Sequence, residues 1–365
     1  MTTSMREIDY AKLFSNELRW RDRQLFLQSK GYMLRPRLRP GWVPSWLMTG
    51  EDPMDCEDGE SLPARSRLVD ATRISDGKMV YIKCVNTGDL ESQIACALSS
   101  DALRRDPRNH SVPIEDVFAD DEDPSVSYLV MPFLRRMNSP EFETVGEVVD
   151  FVDQILEGLA FMHEQGVAHR DCAAPNIMCD ASAMFPRGFH PINQYSLFDD
   201  IKTGATILPR ATAGVRYYFI DYGISSYFPP GRPRELVTGI YGREQDVPEL
   251  SSTKPYDPFA VDIFILGSLF KKEFCKKYSR LHFLEPVANA ANARDPASRP
   301  TAIELLHLWQ AQKRRVTLLQ SPWYLSRRIL PVDGSLVIIP IPYMVWAIAL
   351  LWICLWAYGT ALPGI

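Results

Sequence analysis

Apolar residues recur at helical spacing from Val148 through Val152, Ile155 and Leu159 to Met162, and the run stops at Gly166. Thr144 and Glu147 form a T-x-x-E capping box just ahead of it, so the pattern predicts a long helix with one core-facing stripe. A shorter helix is expected from Glu91, where Ile94 and Leu98 lie four apart on one face. Two apolar runs read instead as strands. One is Val80-Tyr81-Ile82-Lys83, after the turn signal Ser75-Asp76-Gly77, and the other is Tyr128-Leu129-Val130-Met131-Pro132-Phe133-Leu134, which runs into a proline. The last apolar pattern is of a different kind. No charge occurs from Leu336 to Ile365, and the 22 mostly apolar residues 337–358 would extend about 33 Å as a helix at about 1.5 Å per residue, enough to span a bilayer.

Details of that tail sharpen the expectation. Tyr343, Trp346, Trp352, Trp356 and Tyr358 suit membrane interfaces, and Pro340 and Pro342 suit a helix that begins there. Arg327 and Arg328 precede the stretch and nothing positive follows, so the positive-inside rule keeps the rest of the chain in the cytosol. Met1 to Leu18 carries Arg6, Glu7, Asp9, Lys12 and Glu17 with no apolar core, unlike a secretory signal, which leaves a single-pass tail anchor. A buried helix or a dimerisation tail are the alternatives.

Composition adds exclusions. The 365 residues suit two lobes with appendages, and a net charge of −5 gives no basic footprint for nucleic acid. Lys271-Lys272 and Lys276-Lys277 read as a solvated helix face. Seven scattered cysteines contain no C-x-x-C, which argues against a zinc knuckle or a disulfide framework and for free thiols in a reducing compartment. The six histidines show no ligand spacing, and no internal repeat is evident.

The candidate chemistry lies in His169-Arg170-Asp171-Cys172-Ala173-Ala174-Pro175-Asn176 and, 45 positions after that Asn, Asp221-Tyr222-Gly223. An Asp that orients a hydroxyl, with an Asn and a second Asp that hold Mg2+ against ATP phosphates, is the residue set of phosphoryl transfer. Lys83 matches a phosphate-binding lysine, and Glu91 a helix carboxylate that fixes where its charge sits. This order resembles a eukaryotic protein kinase over roughly residues 65–310. Short tripeptides also arise by chance, and what counters that here is their order along the chain.

The resemblance implies further roles. Met131 would be the gatekeeper, with the Pro132 carbonyl and the Leu134 amide hydrogen-bonding adenine. Val247-Pro248-Glu249 resembles the motif that closes an activation segment, Asp262 the buried Asp that ties down the catalytic loop, and Arg299 the partner of Glu249. That set is not expected in small-molecule kinases of the aminoglycoside type. Together with Phe26-Leu27-Gln28-Ser29-Lys30-Gly31-Tyr32-Met33-Leu34-Arg35-Pro36-Arg37 and Pro40-Gly41-Trp42-Val43-Pro44-Ser45-Trp46, the pattern is similar to a fungal, basidiomycete-type protein-kinase-like family.

Three departures stand out. No G-x-G-x-x-G precedes Lys83, and Arg65 to Ile74 contains no glycine to cover the phosphates closely. Ala173 and Pro175 stand where protein kinases usually carry a cation, so hydroxyl specificity stays open. Residues 181–215 read as an inserted surface loop. The expected architecture is α+β and bilobal: an N-terminal extension (1–60), a small antiparallel sheet lobe (61–134), a helical large lobe (135–315), a linker (316–336) and a transmembrane helix (337–358). The expected function is phosphoryl transfer from Mg-ATP to a protein substrate by a membrane-anchored kinase. The alternative is a weak or inactive pseudokinase whose insert or N-terminus serves as a docking scaffold.

Overall fold

The computed structural model describes residues 10–63, 67–229, 231–316 and 323–327. The expected membrane span at 337–358 and most of the linker lie outside them. Among the described residues no helix is long and apolar enough to cross a membrane.

A curled antiparallel sheet forms the first half, in the order β1-β2-β3-β5-β4: β1 (Tyr32–Met33), β2 (Leu68–Arg73), β3 (Met79–Asn86), β4 (Asp116–Ala119) and β5 (Val126–Pro132). Gly77, in the left-handed region at φ 72°, turns β2 into β3. The period of two then sorts the side chains. Val80, Ile82 and Cys84 are buried on one face, while Tyr81 and Lys83 stand on the other.

The first face is covered by α1 (Ser15–Ser29), whose Trp20 and Leu27 join Val69, Ala71, Val80, Ile82, Tyr128 and Val130 in one cluster. The boundary drawn at 60/61 therefore does not separate two units, because residues before it cover the sheet and supply its first strand. The sequence hid this because α1 is mostly polar; of its fifteen residues only Glu17, Trp20, Gln24 and Leu27 are buried. Two buried arginines fix the segment. Arg37 pairs with Glu17 at 2.8 Å, both fully buried, and Arg35 reaches Asp70 on β2 at 2.8 Å.

The expected loop from Arg65 to Ile74 is also corrected. Most of it is β2, with Val69 and Ala71 buried, and the connection from β1 to β2 runs instead through residues 34–67.

The second half is helical. α2 (Leu90–Leu98) is capped by Asp89, which accepts from the Ser92 amide at 2.8 Å. α3 (Val145–Glu164) opens on the expected capping box, with Thr144 and Glu147 bonded reciprocally. It packs with α4 (Pro258–Leu269), α5 (Glu285–Ala291) and α6 (Ala302–Lys313) around the larger core. α4 is apolar on nearly every side and buried along its length, with Asp262 the one charged residue inside it.

Residues 181–215 fold against the rest rather than projecting as an open loop. Met184, Phe185, Phe189, Leu197 and Ile201 are buried. The insert also reaches the connection between β1 and β2, through Lys202 to Glu51 at 2.7 Å and His190 to Glu57 at 3.3 Å.

Candidate functional site

The backbone leading into Asp171 is positioned by one buried carboxylate. Asp262, fully buried in α4, accepts the His169 amide at 2.7 Å, the Arg170 amide at 2.6 Å and His163 Nε2 at 3.0 Å. Three donors on one carboxylate compensate its desolvation and hold Arg170 in the left-handed region at φ 65°. The loop can then aim Asp171 outward. Asp171 Oδ2 accepts Asn176 Nδ2 at 2.7 Å, and that nitrogen also donates to the Asp171 carbonyl at 2.9 Å. With its nitrogen committed to Asp171, Asn176 has its amide oxygen left to offer a cation.

A second group forms where β3, α2 and the Asp221 segment meet. Lys83 Nζ contacts Glu91 Oε1 and lies 2.8 Å from Asp221 Oδ1. Burial alone would depress the Lys83 ammonium, yet the facing Glu91 and Asp221 carboxylates outweigh it and raise its pKa. Burial pushes Asp221 up, and the Lys83 charge reverses this, holding it below the usual carboxylate range. A charged lysine beside an ionised aspartate is the state that phosphate and Mg2+ require. Asp221 sits at φ 69°, and the next residue, Tyr222, is buried with its ring 5.3 Å from that of His169. This links the two groups.

The third set runs along the end of β5. Met131 is half-buried opposite Tyr81, Pro132 faces Val80 across the ladder, and Leu134 is buried just beyond. All eight candidate residues therefore fall in three neighbouring places: Lys83, Glu91 and Asp221; Asp171 and Asn176; and Met131, Pro132 and Leu134. Arg299 also meets Glu249, with Nη2 at 2.8 Å from Oε2, and donates to the Ala260 carbonyl at 2.9 Å.

Two features escaped sequence reasoning. The Arg243 amide donates to Asp171 Oδ1 at 2.7 Å, so both carboxylate oxygens are engaged. No local signal marks Arg243, since the contact depends on how a 72-residue separation closes. The second is the Tyr81 ring, stacked on Phe133 with centroids 4.3 Å apart and planes at 21°. An aromatic at the second position of Val80-Tyr81-Ile82-Lys83 was the available clue.

The oxygen donors suit magnesium. An amide oxygen and a carboxylate are hard ligands, and Mg2+ commonly takes one or two protein oxygens with phosphates and water completing its shell. Among the described residues no group of three or more His, Cys, Asp and Glu could hold a metal alone. A site completed by phosphate does not need one.

No protein-family model matches the chain. Curated relatives do match it. The chain is 24% identical over 229 residues to the MAP kinase kinase kinase wis4 of Schizosaccharomyces pombe, covering 53% of this chain and 15% of that one. It is 31% identical over 114 residues to the serine/threonine-protein kinase ppk8 of the same yeast, covering 30% of this chain and 16% of that one. It is 21% identical over 250 residues to the cyclin-dependent kinase C-2 C of Arabidopsis thaliana, covering 63% and 34%. The chain is protein-kinase-like. The matches span between 15% and 34% of the lengths of these three relatives. They support a kinase-like class of fold and function, with the curled antiparallel sheet and helical half consistent with it.

Proposed function

We propose that this kinase-like chain transfers the γ-phosphoryl group of ATP to hydroxyl groups of proteins while held at a membrane by residues 337–358. The observation that carries the reading is the Lys83 ammonium set between Glu91 and Asp221, 2.8 Å from Asp221 Oδ1. In this reading Asp171 orients the acceptor hydroxyl, Lys83 binds the phosphates and Glu91 positions Lys83. Asn176 and Asp221 hold Mg2+, which when bound neutralises charge on the phosphate oxygens. The base lies along Met131, the Pro132 carbonyl and the Leu134 amide. The names of the matched relatives support the class of reaction but say nothing of this chain's substrate.

The test is calorimetric titration of the full chain with ATP, with and without Mg2+, beside its Asp221→Asn variant and a radiolabel transfer assay on a protein panel. Magnesium-dependent binding that the variant loses, together with label on a protein, is the expected result. Binding without transfer to any protein would favour the second reading, a tethered scaffold. The Arg243 amide on Asp171 is the observation in favour of that reading, since it competes with an acceptor hydroxyl for Oδ1. For the tether, the chain is expected to pellet with membranes after alkaline extraction, and to lose this when cut before residue 337.

A further inference from the structure

We infer that Tyr81 is a gate on the nucleobase side of the cleft: its ring, closed on Phe133, fills the space a purine would occupy, so a nucleotide enters only when the ring turns away. The inference rests on the nucleotide reading above and concerns how that same site is opened.

The sheet fixes where the ring is. Val80, Ile82 and Cys84 point into the core beneath α1, so Tyr81 shares the opposite face with Lys83. Residues two apart on a strand are separated by about 6.6 Å, at about 3.3 Å each. Tyr81 therefore lies one base-length from the phosphate-binding lysine. The direction is set by register. Lys83 pairs with Leu129 and Tyr81 with Met131, so Tyr81 lies on the side of Lys83 toward Pro132 and Leu134, where the backbone would meet the base.

Spacing shows the slot to be shut. A flat base sandwiched by two rings needs them about 7 Å apart, twice the carbon contact distance of about 3.5 Å. The Tyr81 and Phe133 centroids are 4.3 Å apart with planes at 21°, so nothing flat fits between them. Phe133 is buried and is the fixed half of the pair, while Tyr81 is only partly buried.

Phe133 is fixed from behind by the insert. Phe189 packs on it at 5.6 Å and 61°, Phe185 packs on Phe189 at 4.8 Å, and the buried Arg135 guanidinium lies over both, 4.4 Å and 4.6 Å from the ring centres. Among the described residues Arg135 meets no carboxylate; it donates to the Ser139 carbonyl and hydroxyl and to the Gln194 carbonyl. Residues 181–215 thus back the wall against which Tyr81 closes.

The gate is tested by comparing a ligand with a base and one without. Mg-ATP and Mg-tripolyphosphate are titrated into the full chain and into Tyr81→Val, whose β-branched side chain suits a strand. Expected is a gain of about tenfold or more in ATP affinity for Tyr81→Val, with tripolyphosphate affinity unchanged, because the fraction of open chains scales the apparent affinity. Tyr81→Phe, which keeps the ring, should bind ATP as the parent does. Phe133→Leu removes the other ring and should reproduce the gain independently. ATP affinity unchanged or weakened in both small-residue variants, with tripolyphosphate still bound, would overturn the gate and leave the phosphate site standing. Failure of every variant to bind either ligand would overturn the nucleotide reading and the gate with it.

Discussion

The two walls of the cleft are built in opposite ways. The catalytic loop at residues 169–176 is short, its functional residues lie within eight positions, and one buried carboxylate, Asp262, holds its backbone. The hinge side, around Tyr81 and Phe133, is assembled from three distant stretches: β3, the end of β5 and the insert at 181–215. Buried charge, where an unmet partner is costly, organises the first. Ring packing around the buried Arg135 organises the second, and one ion pair of half-exposed partners, Lys202 and Glu51, joins its insert to the 34–67 connection. The difference teaches where this fold tolerates change. A wall built by ring packing between distant stretches accommodates a long addition, whereas a wall hung on one desolvated carboxylate does not.

The comparison breaks most visibly at Asp171. Asp171→Asn should lower the turnover number about 10²- to 10⁴-fold in a transfer assay while leaving the melting temperature nearly unchanged. A mutant of full activity would remove this loop from the chemistry.

Next in size is the buried pair that anchors the segment after Asp221. Arg299→Ala leaves Glu249 with its partner gone and also forfeits the bond to the Ala260 carbonyl. It should cost about 3–5 kcal/mol, read from denaturant midpoints. A loss below about 1 kcal/mol would mean that the large-lobe wall is no more brittle than the hinge side.

His110 tests the junction between the walls by pH. The ring is buried and has Nδ1 2.8 Å from the Tyr217 carbonyl; burial lowers its pKa to about 4. Below the unfolded value near 6.5 the unfolded chain binds the proton more readily than the folded one. Stability should therefore fall as pH drops from about 6.5 to about 4, by up to about 1.4 kcal/mol per unit, and His110→Gln should flatten that slope. An unchanged slope would show that His110 is neutral to acid unfolding.

The smallest effect is expected at the insert. Lys202 and Glu51 are each about half exposed, so Lys202→Glu should cost less than about 1 kcal/mol and weaken further with salt. A larger loss would mean that the link between the insert and the 34–67 connection carries more of the fold than its exposure implies.

The sequence was most legible where a local rule decides. The Thr144 capping box, the Gly77 turn, β3 and the order of Lys83, Glu91, Asp171, Asn176 and Asp221 follow from spacing and residue type, and the long helix and the strand at Lys83 stand where the pattern put them. It was least legible at the N-terminus, where α1 carries no apolar stripe and β1 is two residues long. The glycine-free stretch misled because the burial of Val69 and Ala71 exists only once α1 lies over the sheet.

Residue identity alone thus set which groups can act as base, ammonium and oxygen ligand, because those properties belong to the side chains. Only the tertiary structure decided that His163 also meets Asp262, that Arg243 meets Asp171, and that Tyr81 closes on Phe133 with the insert behind it. Each of these contacts joins residues whose separation in sequence carries no local pattern, so it is fixed by packing across the core rather than by spacing along the chain.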